Sequence, residues 1–208
     1  MIGKKKTRLS IARVAALVLA LALGYSDNHA YAQKSSPNLE SLIQQSGMIF
    51  AGKVIDIQTG TKERRMNLYM TTYTFEVREP IYGVEGDTLR IRQYGGEAGG
   101  KKFYPPGVPR FEREEEVLVM FYPTSKIGMT SSVGKDQGKF WVQRDSVTGV
   151  QTVYNKLKNK GLFKRLKRYG LVTDSEWLRT EPEAIPYDGF LETVRRLAGE
   201  LKKDKRKR

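Results

Sequence analysis

The 208-residue chain has no cysteine and a single histidine, His29. Without cysteine there are no disulfides, thiol nucleophiles or thiolate metal ligands, so the folded part must be held by its core alone. His29 lies in an N-terminal segment expected to be removed, which leaves the mature chain without either residue. Ser-His-Asp and Cys-His hydrolysis are then excluded, and a zinc site would lack its usual side-chain ligands. Gly95-Gly96 and Gly99-Gly100 open no helix, so they make no phosphate-binding fingerprint. Asp136, Asp145 and the glutamates of 112–116 lack calcium-loop spacing. Carboxylate-only chemistry would have to come from Glu112, Glu114, Glu115 and Glu116, but a charge run ahead of a strand reads first as a solvated loop. No cofactor and no metal are expected, and no enzymatic activity.

Long apolar runs are scarce as well. Val14–Gly24 is shorter than the ~20 residues a membrane-spanning helix needs. With Lys4, Lys5, Lys6 and Arg8 before it and Ala30-Tyr31-Ala32 after it, it has the form of a signal peptide cleaved between Ala32 and Gln33. Export to the periplasm or beyond is expected; the alternative is an uncleaved anchor in the inner membrane. Hydrophobic residues make up 39% of the chain, below the ~45–50% usual for globular domains, so part of it is expected outside a core. Charge is unevenly placed: net +4 over 1–32, +2 over 33–155 and +8 over 156–208. The basic character belongs to the two ends and not to the central domain.

What is present is strand signal. Tyr69, Thr71, Tyr73, Phe75 and Val77 alternate with Met70, Thr72, Thr74, Glu76 and Arg78, the period of a half-buried strand. Breaks at Pro80, Gly83 and Gly86-Asp87 lead to a second strand over Thr88–Tyr94, with Leu89 and Ile91 inward and Arg90 and Arg92 outward. Met48–Ile57 is a strand whose Gly52 marks a bulge or bend. Val117–Tyr122 is apolar on both faces, as a central strand would be. Gly138–Gln143 and Val150–Tyr154 complete the set. Before them, Ser36-Pro37 opens a short helix to Ser46, stopped by Gly47. Strands without interleaved helices predict a mainly β fold, a five- to six-stranded OB-like antiparallel barrel over 48–155, with a β-sandwich as the alternative. The lead and helix occupy 33–47.

Two stretches stand out as candidate contact surfaces. The first is the irregular Gly95–Glu116 segment, with Gly95, Gly96, Phe103, Tyr104, Pro105, Pro106 and Phe111 as a partner-binding loop carrying exposed aromatics. The second is the C-terminal extension over 156–201, read as helical and basic, where Lys160, Lys164, Arg165, Lys167 and Arg168 could meet an anionic lipid surface. Thr173-Asp174-Ser175-Glu176 is a capping-box pattern. Phe190, Val194, Leu197 and Leu201 form the stripe of a last helix that docks on the barrel. Residues 202–208 are expected to be a disordered basic tail. Nucleic acid is set behind a protein or envelope partner, because an exported protein seldom meets it.

From Gly52 to Asn155 the chain resembles a family of uncharacterised bacterial exported proteins. The resemblance rests on Gly52-Lys53-Val54, Thr72–Val77, Gly83, Gly95-Gly96, Pro109–Phe111 and Gly138-Lys139-Phe140. It implies an OB-like barrel similar to that of tissue metalloprotease inhibitors and netrin modules. In those inhibitors an N-terminal cysteine approaches the protease zinc. This chain has no cysteine, so an inhibitor-like role would need a different wedge.

Overall fold

The computed structural model describes residues 36–60, 68–167, 180 and 182–206. The chain divides into two units, Met1–Ser35 and Ser36–Arg208; the expected signal segment and its Ala32-Gln33 junction lie outside the described residues, as does the capping-box pattern at 173–176. In chain order the second unit contains α1 (Leu39–Gln45), β1 (Met48–Thr59), β2 (Met70–Tyr82), β3 (Thr88–Tyr94), β4 (Gly96–Ala98), β5 (Lys101–Phe103), β6 (Glu116–Phe121), β7 (Lys139–Arg144), β8 (Gln151–Asn155), β9 (Ile185–Pro186) and α2 (Tyr187–Arg206). Among the described residues no helix is long and apolar enough to cross a membrane.

The fold is mainly β. Seven strands form one antiparallel sheet in the order β3-β2-β1-β6-β7-β8-β9, and β4 and β5 form a separate pair. The expected closed barrel is not formed: β3 and β9 end the order, and no ladder joins them among the described residues. The corner between β3 and β6 is bridged instead by the segment after β6. Tyr122 N donates to Ser131 O at 3.0 Å, and Thr130 N donates to Arg92 O of β3 at 2.9 Å. The sheet therefore curls around an interior without a closing strand.

The alternation in β2 decides what fills that interior. Tyr73, Phe75 and Val77 point inward and meet Phe50, Val54, Ile91, Val117, Val119 and Phe121. Phe50 and Phe75 pack edge to face at 5.3 Å, a favoured aromatic geometry. The opposite face carries Ile49, Ala51, Leu118, Met120, Phe140 and Val153, which pack with Leu42 and Ile43 of α1 and Phe190, Val194 and Leu197 of α2. Strands β1 and β6 thus bury both faces, which accounts for the unbroken apolar run of β6. At Gly52 the β1–β2 register shifts, and a Cβ there would lie 2.2 Å from Glu76 O; the glycine makes the bulge possible.

Several local expectations change. Helix α1 is capped by Asn38, not Ser36: the Asn38 side chain accepts from Ser41 N at 3.0 Å. Gly47 does not stop the helix in a left-handed turn. It lets the chain approach Pro123, whose Cα would lie 2.5 Å from an added Cβ. Residues 156–167 form a succession of turns and not a helix. Lys158 and Asn159 have positive φ, 51° and 59°, which a helix cannot accommodate. Fully buried Asn159 fixes this path, donating from Nδ2 to Val153 O at 3.1 Å and to Glu183 O at 3.0 Å. The apolar stripe of α2 docks as expected, and the helix continues to Arg206, into the stretch expected to be a disordered tail.

Candidate functional site

The exit of β3 is built by two glycines. Gly95 has φ +108°, its N–H donates to Tyr69 O at 2.8 Å, and Pro105 crowds the place of a Cβ at 2.8 Å. Gly96 would put a Cβ 2.8 Å from Met70 O. Only glycine lets the chain cross the start of β2 this closely. Beyond it, the expected irregular loop holds a hairpin. Gly99 and Gly100, with φ +57° and +74°, make the two-residue turn that suits the strand twist. Lys102 and Glu97 face each other across it at 3.0 Å.

The hairpin presents aromatic surface. Phe103 is 41% exposed and Tyr94 37%; their ring centroids lie 5.3 Å apart, with Tyr69 6.4 Å from Phe103. Tyr104 folds back, donating its hydroxyl to Glu97 Oε1 at 3.1 Å, with the Arg110 guanidinium 4.9 Å from the centre of its ring. Burial, and then the hydrogen bond to Glu97, push the Tyr104 hydroxyl up from its ordinary pKa. The Lys102 hydrogen bond in turn holds Glu97 below the usual carboxylate range. Of the residues expected on this surface, Phe103 and Pro106 are exposed, Tyr104 and Pro105 half-buried, and Gly95 and Gly96 buried turn formers. Phe111 is a correction: it is 4% exposed, packed edge to face on Tyr73 at 5.0 Å and Phe75 at 5.2 Å. The open corner of the curled sheet leaves room for one more ring, and Phe111 plugs it.

Between the hairpin exit and the returning chain lies a shallow cleft lined by Thr71, Tyr73, Gln93, Tyr104, Pro105 and Pro109, among others, with about 10 Å³ of space, room for about one water molecule. Small-molecule sites usually enclose ~300–1,000 Å³. Burial raises the Tyr73 hydroxyl pKa, opposed by a hydrogen bond from the Phe111 backbone. Gln93 is 1% exposed, and neither its amide nitrogen nor its amide oxygen has a hydrogen-bond partner.

A second feature, not anticipated from the sequence, anchors the returning end of the segment. Lys139 is 2% exposed; its Nζ donates to Arg110 O and to Glu115 Oε1, both at 2.7 Å. It lies 4.5 Å from the Phe111 ring centre and 4.7 Å from that of Trp141. Glu115 also accepts from Trp141 Nε1 and from Glu112 N. Burial lowers the Lys139 pKa, and the Glu115 carboxylate opposes it. The amine is enclosed by two rings and two acceptors, so it fastens the chain at Arg110 and does not face a substrate. The glutamate run is solvated in part: Glu112 and Glu114 are exposed, as expected, with Glu114 paired to Lys53, while half-buried Glu115 and Glu116 pair with Lys139 and Arg78. Lys139 and Trp141 share a strand face, but only the fold brings Glu115 to them.

The basic stretch is anchored too. Leu162 and Phe163 are buried beneath it, Leu39 N donates to Leu162 O at 2.7 Å, and Asn38 Nδ2 donates to Lys164 O at 2.8 Å. Lys160, Lys164, Arg165 and Lys167 are exposed on these turns; Arg168 lies outside the described residues. No protein-family model, curated protein or solved structure matches the chain.

Proposed function

We propose that the chain is an exported, non-enzymatic β module of the cell envelope that binds a protein partner through the hairpin surface after β3. The observation that carries this reading is the trio of Tyr69, Tyr94 and Phe103, two of them more than a third exposed, in which a hairpin set by four glycines brings Phe103 against Tyr94 at the end of β3 and Tyr69 ahead of β2. Exposed apolar clusters mark interaction sites, and aromatic rings supply most interface hot spots. A ring held in place before binding also loses less entropy on complex formation. On the resemblance to the metalloprotease inhibitor and netrin modules, the curled sheet would be an OB-like scaffold with one corner left open. An inhibitor-like role would use the same hairpin as its wedge.

The test is the double substitution Tyr94→Ser/Phe103→Ser in the full chain, with the partner recovered from the cell envelope and its affinity measured. Loss of two hot-spot rings predicts affinity weakened at least tenfold with unfolding unchanged. Undiminished affinity refutes the reading.

A second reading is contact with anionic lipid through Lys160, Lys164, Arg165 and Lys167. It is favoured by their common exposure on an anchored turn segment, with Leu157 exposed nearby. It predicts binding to phosphatidylglycerol-containing vesicles that weakens with salt and is lost when the four cations are replaced by Gln. Salt-independent binding, or binding that survives those replacements, would rule it out.

A further inference from the structure

The charge of the central domain is not spread evenly. Residues 90–110 hold five basic side chains and one acidic, a net of +4, while the rest of 33–155 holds 11 and 13, a net of −2. The fold sets part of that excess beside the aromatic trio. Arg90, Arg92 and Tyr94 occupy alternate positions of β3 and so share its outer face. On β5, Lys101 and Phe103 likewise share a face, and Phe103 meets Tyr94 at 5.3 Å. Arg90 and Lys101 are exposed, and neither has an ion-pair partner among the described residues. The one carboxylate of the segment, Glu97, lies on the opposite face of the hairpin, engaged with Lys102 at 3.0 Å and with the Tyr104 hydroxyl at 3.1 Å. Glu76, opposite Thr88 on β2, is paired with Arg78 at 3.2 Å. Neither carboxylate is left to answer Arg90 or Lys101.

We propose that the hairpin surface takes an acidic segment of its protein partner, with an apolar side chain of that segment against Tyr94 and Phe103 and its carboxylates against Arg90 and Lys101. This inference rests on the hairpin being the partner-binding surface, and it names the chemistry of what binds there. The arginine fork matches a carboxylate through two parallel hydrogen bonds. In an extended chain, side chains two residues apart stand ~7 Å from one another, which is also the step between Arg90, Arg92 and Tyr94. A partner segment with acidic and apolar residues at alternate positions therefore matches β3 in register. Charge complementarity of this kind steers encounter and rejects wrong partners, and a basic segment would meet only like charge here. Single-stranded nucleic acid also favours aromatic and basic side chains, but it stacks its bases on open ring faces. Here the rings pack on one another, tilted by 46° and 32°, so their faces are already partly occupied. A protein segment fits that arrangement better.

The probe is a fluorescein-labelled octapeptide with acidic residues on both sides of a Phe-Leu pair, titrated into the full chain and followed by fluorescence anisotropy. Its controls are the same peptide with every acid replaced by its amide, and an oligothymidylate of equal charge. The expected result is saturable binding at low salt, at least tenfold weaker for either control, and weakened at least tenfold by Arg90→Gln/Lys101→Gln. Both side chains are exposed, so that variant should unfold at the same urea concentration as the natural chain. Lys160→Gln/Lys164→Gln removes the same charge elsewhere and should leave binding within twofold. Absence of binding, or equal binding of the acidic and amide peptides, overturns the proposal. So does an equal loss in the two double variants, which marks net charge alone. Tighter binding of the oligothymidylate gives the surface to nucleic acid and overturns it as well. The two readings fail separately. Partner affinity lost in Tyr94→Ser/Phe103→Ser but unchanged in Arg90→Gln/Lys101→Gln defeats the acidic segment and leaves the surface. Peptide binding that needs Arg90 and Lys101, with partner affinity indifferent to Tyr94 and Phe103, defeats the surface.

Discussion

Consider replacing Lys139 with Met. The side chain is 2% exposed and donates to Glu115 and to the Arg110 carbonyl. Removing one member of a buried ion pair usually costs ~3–5 kcal/mol, because the other is left uncompensated. Glu115 keeps donors from Trp141 and Glu112, which places Lys139→Met near the low end, about 3 kcal/mol. Glu115→Gln leaves the more deeply buried ammonium without its counter-charge, though the amide oxygen can still accept from it, and should likewise cost about 3 kcal/mol. The double variant has no orphaned charge and forfeits only the Arg110 contact and some packing, about 2 kcal/mol, far short of additive losses. Urea unfolding followed by tryptophan fluorescence measures all four corners of the cycle. Additivity within ~0.5 kcal/mol would show that the two residues act independently, and the reasoning would fail. The pH dependence carries a second signature. The folded pKa of Lys139 lies below its ordinary 10.5, so between those values the unfolded chain binds more protons. Stability of the natural chain relative to Lys139→Met should therefore rise with pH across that window. A fall there would mean the amine is better solvated in the fold than in water.

The two phenylalanines of the candidate loop should separate cleanly. Phe111→Ala removes a core ring and should cost ~3–5 kcal/mol in unfolding free energy, whereas Phe103→Ala, with the side chain 41% exposed, should cost under ~1 kcal/mol; similar losses would contradict the assignment of Phe111 as a plug. Gly52→Ala sets a Cβ 2.2 Å from a backbone oxygen, so the bulge must open, and thermal unfolding should show one of the largest destabilisations of any single methyl addition in the sheet. Gly86→Ala meets no neighbouring atom but has φ +79°, so it should cost only the left-handed strain, about 1–2 kcal/mol.

Strand positions were readable because each is a local pattern. The alternation of Tyr73, Phe75 and Val77, the two-faced Val117–Phe121 run, the glycine at the bulge and the stripe of α2 all declare themselves within a dozen residues. What could not be read depends on contacts between distant segments. Glu115 and Lys139 are 24 positions apart, and nothing in either neighbourhood marks them as partners. Phe111 looked like a loop aromatic because its role is set by the gap left between β3 and β6. The sheet stayed open because the Thr130–Arg92 contact substitutes for a strand, an arrangement with no periodicity to detect. The turns over 156–167 hid behind a helix-like spacing of leucines, since the positive φ of Lys158 and Asn159 is enforced by hydrogen bonds of a buried asparagine. Gln93 gave no signal at all: it sits at an inward position of a strand, where glutamine would ordinarily be read as facing solvent.

The central claim is that the hairpin after β3 is the surface a partner touches. The most direct measurement is photo-cross-linking in intact cells from Phe103→p-benzoylphenylalanine, with Val147→p-benzoylphenylalanine as the control at a 91% exposed turn elsewhere on the sheet. The account predicts a discrete protein adduct from position 103, diminished by Tyr94→Ser, and none of the same mass from position 147. No adduct at 103, or the same adduct from both positions, would contradict it.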